Sequence, residues 1–424
     1  MSDLKSISAK PSLEANLFKG FLIFLPFSQA LTINLFFPLK ISEIFLILIL
    51  FLKLISLKNV NERISKLSGI LILFCLIIFI SLIINGLTSY SYPLNLLASR
   101  LSPLLDGILK IIYILLVVFA MFISIDLLKK KPDLIKYLFT GAIIASSYAW
   151  YLFFSGLLKI PVLLLPGMEE DPQSFMGIVR CATFKEGNYM GFYLLLMGIV
   201  ALHHGKKKLS VFLFLSIITT FSTASITCLF LFLILYFYNV YRKHIVKLLM
   251  ALLFICSTVI LLMLFSPVFQ TMVYNKIFAN EENADTIDDV YSRLDRINTT
   301  RVGFEMFWDN PIFGVGPSSY GLHYAHYNKL PDFDFAGKRI PNNIYIEVLC
   351  ELGIIAMILF LYFLWQLVVF AYKKSPILLS GLLVSYLYFF AFPTFTMLFI
   401  WIFFSVVISS KFTPKLPSVN KSLT

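Results

Sequence analysis

Long, continuous apolar runs recur along this chain, and they constrain its fold more than any other feature. Several reach the roughly 17–25 residues that are needed to cross about 30 Å of hydrocarbon. Of the 424 residues, 59% are hydrophobic and only 14% are charged. This pattern predicts an all-α polytopic membrane protein with about twelve transmembrane helices and one long external loop that contains short helices.

Twelve spans account for the apolar runs. Residues 1–266 would hold spans one to nine, with an external loop around 158–187. Residues 267–342 would form the long external loop, and 343–424 would hold spans ten to twelve and a tail. The predicted spans are 17–35, 41–57, 68–86, 105–127, 137–157, 188–203, 209–222, 224–240, 247–266, 343–370, 375–391 and 393–409.

The net charge of +12 comes largely from short basic clusters that lie beside the apolar runs. Examples are Lys129 to Lys131 and Lys206 to Lys208. Basic residues concentrate in cytoplasmic loops of membrane proteins, so these clusters place both termini in the cytoplasm and the long loop outside. The charge is therefore a topology signal, and nucleic acid is not expected as a partner.

The long loop contains the most polar and glycine-rich stretch of the chain. From Ser292 an amphipathic pattern predicts a helix, which Asn310-Pro311 should end. A turn-rich strip, FGVGPSSYG, follows it.

Arginines near the ends of the spans are the strongest candidates for chemistry, because charge at a membrane boundary is costly unless it is paired or hydrated. A planar guanidinium can bind two phosphate oxygens at once. The alternative is an ion pair with a neighbouring carboxylate (Asp295, Glu305 or Glu186) or with lipid headgroups. The arginines concerned are Arg180, Arg293, Arg296 and Arg301.

Other titratable residues have two interpretations each. Glu347 and Glu351, at i, i+4 spacing, could accept a proton or form ion pairs, and Asp106 and Lys110 should pair with each other. His323 and His326 in the long loop could act as general bases, although exposed histidines usually have no such role.

Several common chemistries have no signature here. The sequence has no Walker loop, HExxH or GxSxG motif. Its five cysteines lack metal-ligand spacing. We therefore expect no metal site, no cofactor and no disulfide framework.

Three ordered motifs resemble those of the bacterial O-antigen polymerases and ligases. RCATFKEGNYMG, from Arg180 to Gly191, resembles the family's RxxGTFxxxNxxG segment and fits its R-x10-G arginine motif. DNPIFGVGPSSYG resembles the strip (D/H)NPxxGVGxxxF, and NNIYIEVLCELG resembles HNxxLExxxExG except at its first residue.

The resemblance implies an enzyme of the bacterial inner membrane that works at the periplasmic face. It would transfer a glycan from undecaprenyl pyrophosphate to an acceptor hydroxyl, with inversion and without a metal. Its partners would be the lipid-linked donor and acceptor, membrane lipids and a possible chain-length regulator. Arg180 with Arg296 or Arg301 would hold the pyrophosphate, and further substrate contacts would come from Lys185, Asn188, Arg293, Tyr320, Asn343 and Tyr345.

The chain departs from the family pattern at Asn342, where ligases carry the histidine that is proposed as the base. An amide cannot accept the proton, so the departure favours a polymerase, which joins two lipid-linked glycans, over a ligase, which transfers the glycan to lipid A-core. The base would then be His323, His326 or Glu347, or a dissociative reaction would need little base assistance. A transporter or flippase of lipid-linked sugars is a further alternative.

Overall fold

Helices make up most of the part of the chain that the structure, a computed structural model, describes. The described residues are 13–34, 38–55, 65–99, 102–168, 172–175, 177–241, 287–330 and 339–410, with isolated positions between 246 and 265. The predicted span at 247–266 therefore lies largely outside the described residues, as does the loop at 267–286.

The helices follow the apolar runs of the sequence. Their bounds are α1 Leu13–Phe24, α2 Ile41–Ile55, α3 Ser65–Leu87, α4 Pro103–Lys130, α5 Ile135–Leu157, α6 Gly187–His203, α7 Lys207–Ser216 and α8 Thr223–Tyr241. After the gap come α9 Ile287–Asp309, α10 Tyr320–Tyr327, α11 Ile344–Lys374, α12 Pro376–Tyr388 and α13 Leu398–Ser409. Two short antiparallel pairs complete the described structure: β1 Ile33–Asn34 with β2 Pro38–Leu39, and β3 Ser174–Phe175 with β4 Ile178–Val179.

Four of the described helices are long and apolar enough to cross a membrane, namely those that contain α3, α4, α5 and α11. Shorter apolar helices correspond to α6, α8, α12 and α13. Many large apolar side chains on the long helices are exposed, as expected for surfaces that face lipid. The all-α membrane architecture agrees with this structure, and the number of twelve spans stays a prediction.

The first predicted span is shorter as a helix than expected. Instead of continuing to residue 35, α1 ends at Phe24, and a turn precedes the β1–β2 hairpin. Pro26 explains the early end, because proline lacks the amide hydrogen that a continuing helix needs. The hairpin then returns the chain to α2.

The division of residues 209–240 into two segments is confirmed. A short 3-10 segment, Ile217–Thr220, extends α7, and Phe221 then adopts a left-handed conformation with φ 46°. This residue reverses the chain into α8. Both segments pack against α6, whose residues are buried almost throughout, as expected for a helix that is apolar on all sides.

The amphipathic pattern that begins at Ser292 also corresponds to a helix. α9 ends at Asp309, directly before Asn310-Pro311, as predicted. Its buried face packs with α10 and α11 in a separate core that includes Val302, Met306 and Tyr320.

Candidate functional site

The glycine-rich strip after α9 docks onto a break in α11. Gly353 has φ 80° and ψ −177°, which interrupts the helix and exposes backbone groups there. The amide of Val315 donates to the carbonyl of Cys350 (2.8 Å), that of Gly316 donates to Glu351 (2.9 Å), and that of Ile354 donates to Pro311 (2.9 Å). Two of the sequence motifs therefore form one structural unit.

Close backbone contact explains the glycines of this unit. A Cβ atom at Gly353 would lie 2.2 Å from the carbonyl oxygen of Ile312. A Cβ atom at Gly314 would lie 2.4 Å from the carbonyl carbon of Glu351. Both residues also have positive φ angles, which residues other than glycine rarely adopt.

Glu351 holds the beginning of α10 in place. Its carboxylate accepts hydrogen bonds from the backbone amides of Ser318 (2.9 Å) and Tyr320 (3.3 Å). The Tyr320 amide lies in the first turn of α10, where backbone amides have no partner within the helix. Glu351, the second acidic residue of the motif, thus has a structural role: it fixes the backbone of the glycine-rich strip.

Glu347, which we considered as a base, is held in an ion pair. Its carboxylate pairs with the ammonium of Lys110 on α4 and accepts hydrogen bonds from the Thr394 hydroxyl (3.1 Å) and the Phe395 amide (3.2 Å). The expected Asp106–Lys110 pair is replaced by this contact, and the Asp106 carboxylate accepts from the Ser99 hydroxyl (3.1 Å). Glu347 is 3% exposed, which does not favour its use as a base.

Asn343 and Tyr345 have structural partners at the start of α11. The Asn343 side chain accepts hydrogen bonds from the amides of Tyr345 (2.9 Å) and Ile346 (3.3 Å), so it is the N-cap. The Tyr345 hydroxyl donates to the carbonyl of Tyr386 (2.9 Å). Asn342 precedes the cap and is half-buried.

Tyr320, predicted to contact substrate, is buried in the core between α9 and α10. Its hydroxyl donates to the carbonyl of Thr299 at 2.7 Å, and only 1% of the residue is exposed. This position corrects the prediction, because a side chain in the core does not reach a substrate.

Arg180 is fixed beside the start of α6. Its Nε donates to the side-chain carbonyl of Gln173 (3.0 Å), and one terminal nitrogen donates to the carbonyl of Phe221 (3.3 Å). The same Gln173 oxygen accepts from the amide of Gly187 (3.1 Å). The arginine is half-buried, so a strand pair and two helix ends together position its guanidinium.

A buried hydroxyl network lies next to Arg180. The Asn188 side-chain oxygen accepts from Ser222 (2.8 Å), and Ser222 in turn accepts from Ser225 (2.8 Å). The Tyr388 hydroxyl lies 2.7 Å from that of Ser225 and donates to the backbone carbonyl of Asn188 (2.9 Å). The network joins α6, α8 and α12. The side-chain oxygen of Asn188 is already hydrogen-bonded within it.

Arg296 brings the long loop to this network. Its guanidinium acts electrostatically on the Tyr388 hydroxyl, which bonds to Asn188. Arg296 is half-buried, and among the described residues its side chain has no hydrogen-bond or ion-pair partner. Arg296 therefore lies near the hydroxyl cluster that also adjoins the Arg180 segment.

Arg301, one turn further along α9, is engaged with its neighbours. One terminal nitrogen donates to Asn298 (3.1 Å), and Nε lies 3.7 Å from the Glu305 carboxylate. The Asn298 amide group donates to the hydroxyl of Tyr324 (2.8 Å). Arg301 therefore belongs to the contacts between α9 and α10 and is less available than Arg296.

His323 is buried, and its ring has two polar contacts. Nδ1 lies 2.8 Å from the Tyr92 hydroxyl, and the ring also hydrogen-bonds to the backbone of Val315. Burial, assisted by the neighbouring His326, lowers the pKa of His323 to about 4. The residue is thus neutral near pH 7, but its ring is buried and Nδ1 already bonds to Tyr92, which does not favour the role of base.

The remaining candidates differ in position. His326 is exposed and its ring stacks on that of Tyr92, with centroids 3.6 Å apart and planes at 1°. Lys185 is exposed beside the Arg180 segment. The side chain of Arg293 lies outside the described residues, and its predicted role stays a prediction.

Several residues of this site were not identified from the sequence. Ser222, Ser225 and Tyr388 lie within or beside apolar runs, and Lys110 was assigned to the wrong partner. Two serines three positions apart at the start of an apolar helix were an available signal, because polar side chains in such helices usually face a partner.

Comparison with known proteins agrees with these motifs. A family model described as O-antigen ligase matches residues 208–361. This range includes α9, the docked strip and the first half of α11. No curated protein and no solved structure matches the chain. The chain is thus similar to the O-antigen ligase family over residues 208–361, which contain two of the three motifs that resemble the O-antigen polymerases and ligases.

Proposed function

We propose that the protein is a glycan polymerase of the bacterial inner membrane. It transfers an undecaprenyl-pyrophosphate-linked oligosaccharide to a hydroxyl of a second lipid-linked repeat unit at the periplasmic face. The observation that carries the proposal is the half-buried Arg296, which has no hydrogen-bond or ion-pair partner among the described residues and lies near the hydroxyl cluster beside the Arg180 segment. A partly buried charge without a partner is costly, so the site favours an anion such as pyrophosphate.

The proposed reaction breaks the bond between the anomeric carbon and the pyrophosphate oxygen and forms a bond from that carbon to the acceptor oxygen, with inversion. Negative charge develops on the departing pyrophosphate, and Arg180 and Arg296 stabilise it electrostatically. No metal is required in this scheme.

Among the candidates for the base, Glu347 is paired with Lys110 and Nδ1 of His323 bonds to Tyr92, whereas His326 is exposed. A dissociative transition state with oxocarbenium character forms little bond to the acceptor and needs little base assistance. The acceptor hydroxyl then loses its proton to the departing pyrophosphate or to water as the new bond forms. Asn342 supports the polymerase over the ligase, because it lacks the basic nitrogen that is proposed for ligases.

A ligase remains the alternative function, and the description of the matched family favours it. Deletion of the gene and analysis of the surface glycan distinguish the two. A polymerase mutant carries single repeat units on lipid A-core. A ligase mutant carries no attached glycan and retains polymer on the carrier.

The arginine proposal is tested with purified protein and lipid-linked repeat units that are extracted from cells lacking it. Arg296→Ala and Arg180→Ala should each reduce polymer formation about 100-fold, the typical effect of removing one donor at a charged transition state. Arg296→Lys should recover only part of the rate, because an ammonium cannot bind two oxygens in one plane.

Lys207→Ala is the matched control, since it removes an exposed positive charge from the basic cluster at the other end of α6. It should polymerise at the wild-type rate. Normal chain-length ladders in both arginine variants would contradict the proposal. If the protein in proteoliposomes moves the lipid-linked unit across the membrane and transfers no glycan, the transporter alternative is supported instead.

A further inference from the structure

An exposed aromatic surface lies between α10 and the segment that follows α3. The ring of His326 covers one face of Tyr92 in parallel contact, with 3.6 Å between centroids. Tyr92 is itself fixed, because its hydroxyl lies 2.8 Å from Nδ1 of His323 and its edge contacts Tyr327. The His326 ring is therefore held in one orientation while the residue stays exposed.

Polar groups that can bind hydroxyls surround this stack. The exposed Asp309, at the end of α9, is hydrogen-bonded to Tyr327, whose ring contacts His326 at 4.8 Å. Tyr90 is half-buried beside Tyr92, with ring centroids 5.6 Å apart. Flat rings with nearby carboxylate and hydroxyl groups match the two faces of a sugar, which presents C–H groups on one side and hydroxyls at its edge.

The charges near the stack indicate that it faces water and not lipid. The exposed ammonium of Lys329, three residues after His326, lies 3.1 Å from the carboxylate of Glu305. Charged groups of this kind are costly in hydrocarbon. A role for His326 as an anchor in the membrane is therefore disfavoured.

The end of α10 connects the stack to the part of α9 that carries Arg296. The Asn298 amide group donates to the Asn328 side chain (2.9 Å), and these residues lie two positions after Arg296 and two positions after His326, respectively. The polar end of the surface at Asp309 is thirteen positions from Arg296 on α9, which corresponds to about 20 Å along a helix axis. A glycan of several sugars can therefore contact the arginine and this surface at the same time.

We infer that the His326–Tyr92 stack is a carbohydrate subsite that binds a sugar of the glycan. The inference rests on the proposed function, since it assigns the ligand to the lipid-linked glycan. In this arrangement the pyrophosphate lies at Arg296 on α9 and a sugar of the same glycan lies on His326. Contacts at both positions would orient the reacting sugar.

The test measures binding of the free oligosaccharide that mild acid releases from lipid-linked units of cells lacking the protein. Because this probe has no pyrophosphate, its affinity for the protein in nanodiscs reports the sugar subsite apart from the arginines. His326→Ala should weaken binding roughly three- to tenfold, as expected for the loss of one stacking partner. His326→Phe, which keeps a flat ring, should bind nearly as tightly as the wild type.

Lys329→Ala is the control for the same surface and should bind as the wild type does. Equal affinity of His326→Ala and wild type would overturn the inference. So would equal weakening by the Ala and Phe variants, because the ring face would then not be the determinant.

Polymer formation separates this inference from the proposed function. If Arg296→Ala abolishes transfer while His326→Ala binds the oligosaccharide normally, the subsite is wrong and the enzyme proposal stands. If oligosaccharide binding depends on His326 while both arginine variants make normal polymer, the carbohydrate site stands and the polymerase proposal fails.

Discussion

The ammonium of Lys110 on α4 pairs with the carboxylate of Glu347 on α11, across 237 positions of sequence. Glu347 also accepts hydrogen bonds from Thr394 and from the backbone of Phe395, before α13. One buried carboxylate therefore joins three segments of the chain. Its removal should affect the packing of these segments before it affects any proton transfer.

We expect Glu347→Gln to lower the stability of the protein by about 3–5 kcal/mol, because it leaves the Lys110 charge buried without its partner. Lys110→Met combined with Glu347→Gln should recover a large part of this loss. Thermal unfolding of the purified variants in detergent measures both effects.

Activity of the double variant distinguishes structure from catalysis. Recovery of polymer formation together with stability indicates that Glu347 acts by holding the helices. A double variant that is stable but inactive would show that the carboxylate itself takes part in the reaction.

Gly353 provides a second prediction at the break in α11. Gly353→Ala forces a Cβ atom against the Ile312 carbonyl at 2.2 Å, at a backbone angle of φ 80°. The docked strip must then move, and we expect a loss of more than about 2 kcal/mol in stability together with most of the activity.

Gly69→Ala is the matched control on α3, because nothing lies within 4 Å of the added carbon. Alanine is favoured over glycine by roughly 1 kcal/mol inside a helix, so this variant should be as stable as the wild type or more so. If Gly353→Ala unfolds at the same temperature as Gly69→Ala, the docking of the strip onto α11 does not contribute to stability.

Variants of Asn343 test whether this residue of the motif stabilises α11 or contacts the substrate. Asn343→Ala removes the N-cap and should cost about 1 kcal/mol, whereas Asn343→Asp and Asn343→Ser keep a side-chain oxygen and should restore the stability. Polymer formation should follow stability in this series. Loss of activity in Asn343→Ser at wild-type stability would instead indicate a direct contact of the amide with substrate.

Features that depend on neighbouring residues in sequence were predictable from the sequence. The apolar helices follow from run length, and the end of α9 at Asp309 follows from Asn310-Pro311. The division of residues 209–240 into two segments was predicted, but the left-handed conformation of Phe221 that reverses the chain there was not.

Contacts between distant segments were not predictable in the same way. Lys110 has a carboxylate four positions away, yet the structure pairs it with Glu347. Tyr320 has the residue type of a sugar-binding side chain and lies in the core. Residue type marked the arginines as candidates, but only tertiary packing decides that Arg296 has no hydrogen-bond or ion-pair partner among the described residues.

His323 gives a prediction for the pH dependence of stability. Burial lowers its pKa in the folded protein to about 4, from 6.5, so the folded state stays neutral while the unfolded state binds a proton below pH 6.5. Its contribution is complete above pH 6.5 and is lost as the pH falls towards 4. The linkage amounts to roughly 3 kcal/mol over this window.

His323→Asn removes the titrating group, so its unfolding temperature should fall less steeply between pH 7 and pH 4.5 than that of the wild type. The variant also loses contacts with Tyr90 and Tyr92, and its stability at pH 7 should therefore be lower. The change in slope, and not the absolute stability, measures the titration. Parallel pH profiles for the two proteins would show that His323 is protonated equally in the folded and unfolded states.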